Sequence, residues 1–138
     1  MKQFAETKIQ KDFDGWNMRK KSLDCYKKKI YFRKSEIWWC ALGVNIGFEQ
    51  DGKNENFERP VLVLRKINRH LAFIIPLSSK IKNHPYYYRY DYDGKYFSAI
   101  LFQSRVVSTK RFLRRLGVME KINFYGIIEA LIRFIKDN

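Results

Sequence analysis

Short runs of strand-forming residues, glycine-punctuated connections and one amphipathic C-terminal stretch predict a mostly β domain with a C-terminal helix, an α+β fold. Three features carry this reading. Pro60-Val61-Leu62-Val63-Leu64 is a continuous apolar run of strand length, the pattern of a strand buried on both faces. Tyr86–Tyr90 and Tyr96–Phe102 flank Asp93-Gly94, a pair that accepts the positive φ of a tight hairpin turn. Phe124, Ile127, Ile128, Leu131, Phe134 and Ile135 recur at helical spacing and predict a core-facing stripe. Many short strands before a final helix imply a small, strongly curved sheet or barrel with that helix packed against it.

The elements follow in order. Residues 1–34 alternate basic clusters with scattered apolar residues and read as an extension added to a separate domain of residues 35–138. Within it, Asp14 is the expected cap of a helix from Gly15 to about Lys29, and Phe13, Trp16 and Leu23 predict that it docks with a basic outer face. Glu36 to Leu42 and Leu71 to Leu77 read as strands. Gly43 to Glu58 is polar and glycine-punctuated, long for a connection inside a compact domain, and connections of that length often carry function. Ser108 is the expected cap of a short helix through Arg115, ended by Gly117.

The chain has 138 residues, enough for one domain with its own core. Its 17% aromatic content excludes general disorder. The formal net charge is +14, and residues 1–34 carry +7 of it. Such a surface concentrates polyanions. No apolar run approaches the roughly 18 residues that a membrane helix needs, and the opening MKQFAETKIQ has no apolar signal segment, so a cytoplasmic location without membrane association is expected. Cys25 and Cys40 stand apart and read as free thiols, with no metal site or cofactor expected. There is no phosphate-binding glycine loop and no HExxH pair; pattern alone leaves the function open.

A set of short motifs narrows it. Ser35-Glu36-Ile37-Trp38-Trp39, Gly47-Phe48-Glu49-Gln50, Arg59-Pro60-Val61-Leu62-Val63, Ile75-Pro76-Leu77-Ser78-Ser79-Lys80 and Ile100-Leu101-Phe102-Gln103-Ser104-Arg105 occur in this order. Together they resemble the MazF/PemK family of toxins from bacterial type II toxin–antitoxin modules, and Lys110 to Leu116 resembles a helix of that family. Two departures are plain: Asp51 to Glu58 lengthens the interval before Arg59, and residues 1–34 have no counterpart in compact members.

The resemblance implies an SH3-like barrel, a homodimer, a cognate antitoxin, and a metal-independent endoribonuclease that cuts single-stranded RNA through attack by the 2′-hydroxyl. It places catalytic duty on Arg59, Ser78 and Glu49. A guanidinium suits the phosphate oxygens of a crowded phosphorane; a serine hydroxyl donates to a phosphoryl oxygen or positions the leaving group; a carboxylate accepts the 2′-hydroxyl proton. Glu49 has a second reading as ion-pair partner of Arg59, and Ser78 as a strand-end serine bonded to local backbone. Gln50, Ser79, Lys80, Lys82, Gln103 and Arg105 are the expected RNA contacts, with core-edge hydrogen bonding the alternative for Gln103 and Arg105. His84 matches no motif and reads as a loop histidine. The competing functions are a non-enzymatic gyrase poison like CcdB, which the tail Phe-Ile-Lys-Asp-Asn disfavours, and a catalytically silent nucleic-acid-binding module.

Overall fold

The computed structural model describes residues 10–137. In chain order the elements are α1 (Phe13–Asp24), β1 (Glu36–Ala41), β2 (Glu58–Lys66), β3 (Leu71–Ser78), β4 (Tyr87–Tyr92), β5 (Lys95–Ile100), β6 (Arg105–Ser108), β7 (Phe112–Val118) and α2 (Lys121–Lys136). The strands form one antiparallel sheet in the order β4-β5-β3-β2-β1-β7, and β6 also pairs with β3. The outer edge of β3 is shared: Leu71 to Ile74 pair with β6, while Leu77 and Ser78 pair with β5. Pro76, which has no N–H for a ladder bond, lies between the two pairings, where such a residue is tolerated.

The path does not close into a hydrogen-bonded barrel, since its end strands β4 and β7 pair only inward. Curvature still brings those ends together. At Gly117 of β7 a Cβ would fall 2.5 Å from the Tyr92 hydroxyl of β4, so only glycine fits there.

Alternation along β2 explains its unbroken apolar run. Leu62 and Leu64 join Ile37, Ile75, Leu77, Phe124, Ile127 and Leu131 in a core beneath α2. Val61 and Val63 face the other way, into a second core with Phe32, Trp38, Cys40, Ile74 and Phe112. On α2 the expected stripe holds at Phe124, Ile127 and Leu131, with Ala130 added and Ile128 and Phe134 half-buried against the same core; Ile135, expected inside, is 70% exposed. The hairpin β4–β5 turns through Asp93 and Gly94, both at positive φ.

Two expectations are corrected. Ser108 does cap, its hydroxyl accepting from the Lys110 N–H at 3.2 Å, but the turn is a single 3-10 turn over Thr109–Arg111. The chain then continues as β7 rather than as a helix. The free edge of β1 needs backbone partners, and Phe112 stacks on Trp38 with ring centroids 5.4 Å apart. Tertiary pairing overrides the local helical preference of this segment. In the extension the cap is Asp12, accepting from the Gly15 N–H at 2.8 Å, rather than Asp14, and α1 ends at Asp24. The helix docks through Trp16 and Leu23 on Ala41, Phe57 and Leu113.

Candidate functional site

The β2–β3 ladder sets Val61 opposite Pro76. Beyond that pair lie Glu58 and Arg59 at the start of β2 and Leu77 and Ser78 at the end of β3. Arg59 pairs with Cys40 of β1, Ser78 with Ser98 of β5, and Ser98 with Arg89 of β4. Cross-strand partners share a face; Arg59 and Ser78 each belong to such a row, Arg59 with Cys40 and Ser78 with Ser98 and Arg89. Both residues line a cleft of about 330 Å³ whose walls include Trp39, Lys53, Asn54, Leu77, Ser79 and Tyr92.

Arg59 is held by backbone. Its Nε donates to the Asp51 carbonyl at 2.8 Å and its Nη1 to the Leu77 carbonyl at 3.2 Å. These bonds commit two of five N–H donors and fix the plane of the fork. Burial lowers its pKa from the ordinary arginine value, opposed by the Asp51 carboxylate. Ser78 Oγ accepts from the Lys80 N–H at 3.1 Å, a local turn that occupies a lone pair and leaves the hydroxyl proton to donate elsewhere. Ser79 is exposed at the rim of the same cleft.

A second cleft, of about 350 Å³, gathers Glu49, Gln50, Gln103 and Arg105 with Asn45 and Phe102. Gln103 grips the 43–57 connection: its Oε1 accepts from the Gln50 N–H at 3.2 Å and its Nε2 donates to the Phe48 carbonyl at 3.0 Å. Glu49 is exposed, and its Oε1 accepts from the Ile46 N–H at 3.2 Å. Its alternative reading as the ion-pair partner of Arg59 is not what the structure has; the ion pairs among the described residues are Lys11–Asp51, Arg114–Glu58 and Arg115–Glu36. The structure thus joins Arg59, Ser78 and Ser79 in one cleft, and Glu49, Gln50, Gln103 and Arg105 in another. Lys80 and Lys82 stand exposed in the connection after β3. Lys82 runs along a shallower groove with His84, Tyr87 and Arg89. His84 is exposed, and its Nδ1 accepts from the Tyr86 N–H at 3.2 Å.

The long connection between β1 and β2 is an ordered loop. The Gly52 N–H donates to the Gly43 carbonyl at 2.9 Å and the Gly43 N–H to the Phe57 carbonyl at 3.1 Å, closing its neck. Gly43 has φ +85°, and a Cβ there would meet the Trp16 ring at 2.1 Å, so the neck and α1 are fitted to each other. At the tip, Phe48 is fully exposed.

Sequence reasoning left three residues unmarked. Trp39 lies in a motif but carries no site role there, yet it is half-buried in the wall of the first cleft with the Arg114 guanidinium 4.9 Å from its ring centroid. Asp51 and Lys11 lie in stretches that match no motif, and only the fold brings them together. Among the described residues no group of three or more His, Cys, Asp or Glu side chains is arranged to hold a metal ion, and no helix is long and apolar enough to cross a membrane.

A small open β-sheet capped by a C-terminal helix, with a basic and polar face built from β2, β3 and the loop before β2, defines the class. Residues 33–135 match the family model of PemK-like, MazF-like toxins of type II toxin–antitoxin systems, and the chain belongs to that family. Among solved structures, MazF from Deinococcus radiodurans superposes with a TM-score of 0.65 at 18% identity, covering 77% of this chain and 98% of the other. MazF in the MazE–MazF complex of the same organism gives 0.58 at 15% identity, covering 79% and 100%. A mycobacterial endoribonuclease in complex with its cognate antitoxin gives 0.57 at 10% identity, covering 78% and 98%. At these identities the likeness is one of fold. No curated protein matches the sequence.

Proposed function

We propose that this toxin is an endoribonuclease acting on single-stranded RNA, with Arg59 and Ser78 at the scissile phosphate. The observation that carries the proposal is their shared cleft, which Arg59 lines from the start of β2 and Ser78 from the end of β3. The 2′-oxygen loses its proton and bonds to phosphorus, the bond from phosphorus to the 5′-oxygen breaks, and that oxygen takes a proton. The products are a 2′,3′-cyclic phosphate and a 5′-hydroxyl. Negative charge builds on the non-bridging oxygens, where a preorganised guanidinium stabilises it most. Arg59 fits that role because two carbonyls already hold its plane. The Ser78 hydroxyl donates to a phosphoryl or leaving oxygen.

Glu49 is the candidate proton acceptor. It lines the second cleft on the same loop that carries Gln50 and Asp51, and the Asp51 carbonyl ties that loop to Arg59. In this reading Gln50, Ser79, Gln103 and Arg105 contact the flanking nucleotides, and Lys80 and Lys82 bind backbone phosphates further out. A cognate antitoxin and a homodimer belong to the same proposal; two structural relatives are seen with an antitoxin.

The test is incubation of the purified protein with a defined single-stranded RNA in EDTA. The expected result is cleavage at fixed sites leaving 5′-hydroxyl ends, lost in Arg59→Ala and reduced in Ser78→Ala, with both variants folded by circular dichroism. Intact RNA with the wild-type protein would overturn the nuclease reading.

A further inference from the structure

The N-terminal extension reaches the candidate site at one side chain. Lys11, the residue before the α1 cap, donates its Nζ to the Asn45 carbonyl at 2.7 Å and to the Gly47 carbonyl at 2.9 Å. The same ammonium lies 3.1 Å from the Asp51 carboxylate. Three donors thus meet three acceptors on one loop, which matches the full capacity of an ammonium. Asp51 passes the constraint on: its other carboxylate oxygen accepts from the Asn45 N–H at 2.6 Å, and its carbonyl accepts from Arg59 Nε at 2.8 Å. Lys11 is only partly exposed, and the extension behind it is pinned by Trp16 against Gly43.

We propose that Lys11 is a positioning residue for Arg59, acting through Asp51 by holding the 43–57 loop in the conformation that fixes the guanidinium. Gln103 grips the same loop at Phe48 and Gln50, but the Lys11 ammonium is the external group that bonds the Asp51 side chain itself, so it bears most directly on the Asp51 carbonyl. The extension is therefore a strut for the catalytic arginine, and its basic residues are not all generic cations. The effect on rate rests on the nuclease reading above, whereas the effect on the loop and on Arg59 does not.

The experiment compares wild type, Lys11→Met, Lys11→Arg, Asp51→Asn and the double variant Lys11→Met/Asp51→Asn in the full chain. Two NMR readouts are independent of activity: exchange of the Asn45 amide with solvent, and exchange of the Arg59 Nε–H. In Lys11→Met both should accelerate about tenfold while the amides of β1 and β2 stay protected, and Lys11→Arg should restore most of the protection. On a short RNA, kcat should fall about tenfold with KM within about twofold, the signature of lost orientation rather than lost binding. The double variant should be no worse than its poorer single parent, since both changes cut one connection. Unchanged exchange at Asn45 and Arg59 in Lys11→Met would overturn the proposal whatever the RNA result. A raised KM at constant kcat would also overturn it and make Lys11 a plain phosphate contact. Should the wild-type protein leave RNA intact, the nuclease reading falls and the two exchange rates alone decide whether Lys11 holds Arg59.

Discussion

Arg59, at the start of β2, and Ser78, at the end of β3, both lie beyond the Val61–Pro76 pair and line the same cleft. The consequence is rigidity. Each side chain is carried on a strand and held by backbone groups, Arg59 by the Asp51 and Leu77 carbonyls and Ser78 by the Lys80 N–H. Replacing Arg59 by lysine keeps the charge and removes the fork. The expected outcome for Arg59→Lys is RNA binding within a few-fold of wild type and a cleavage rate lower by about 10²–10³, measured by single-turnover kinetics. Retained rate would mean that charge alone suffices.

The cleft has a structural carboxylate beside its catalytic candidates. Glu58 is buried, and Arg114 of β7 grips it with Nη1–Oε1 at 3.0 Å and Nη2–Oε2 at 3.2 Å, while the Asn54 side-chain amide donates to Oε2 at 3.3 Å. The two partners are unequal, since Arg114 is half exposed and Glu58 almost wholly covered. Losing Arg114 strands a buried charge, whereas neutralising Glu58 leaves an arginine that water can solvate. Arg114→Ala should therefore destabilise more than Glu58→Gln, by about 2 kcal/mol against about 1 kcal/mol after allowing for the exposed half of the pair. Urea denaturation of the two variants checks the order; the reverse order would show that the carboxylate finds water when its partner leaves.

Much of this architecture could be read from sequence because local signals and tertiary demand agreed there. Val61 to Leu64 had to be buried on both faces, Asp93-Gly94 had to turn, and the C-terminal stripe had to pack. The segment after Ser108 was misread because its local composition suits a helix, while the edge of β1, distant in sequence, requires a strand. The site divided in the same way. Arg59, Ser78, Gln103 and Glu49 lie in motifs, but their sorting into two separate clefts depends on strand pairing, which no single stretch of sequence reveals. Lys11 was invisible because its partners are carbonyls more than thirty residues away, and a carbonyl leaves no trace in residue identity.

The fit between α1 and the loop neck gives a sharp stability prediction. Trp16 is buried against Gly43, lies 5.5 Å from the Phe57 ring and has the Arg111 guanidinium 5.6 Å from its ring centroid. Trp16→Ala should cost about 3 kcal/mol, the lower part of the range for a deleted buried tryptophan, since the site lies at the periphery. Gly43→Ala should cost a comparable amount from the other side, because the new methyl meets the indole and the φ of +85° is strained for any L side chain. The two changes strike one contact, so the double variant should fall short of the sum. Equilibrium unfolding of all three would test the coupling, and full additivity would separate the helix from the neck.

Alkaline stability follows from two buried acids that the nuclease mechanism does not use. Cys40, fully buried on β1, has its thiol pushed from 9.0 up to about 12 by burial, tempered by Arg111 and Arg105. Tyr90, in the core under α2, has its phenol raised above 10.0 by burial and by neighbouring Tyr92. Both folded pKa values exceed the unfolded ones, so each group's contribution is intact below its unfolded pKa. Above that point the unfolded chain releases a proton that the native chain keeps, and stability falls as pH rises. The decline should begin near pH 9 with Cys40 and steepen past pH 10 as Tyr90 joins, at most about 1.4 kcal/mol per pH unit for each group. Urea unfolding of wild type and Cys40→Ala between about pH 8 and 10.5 measures this. The variant, though less stable overall from its cavity, should show a flatter profile up to pH 10. Equal slopes in that interval would mean that the Cys40 thiol ionises as easily in the native protein as in the unfolded chain.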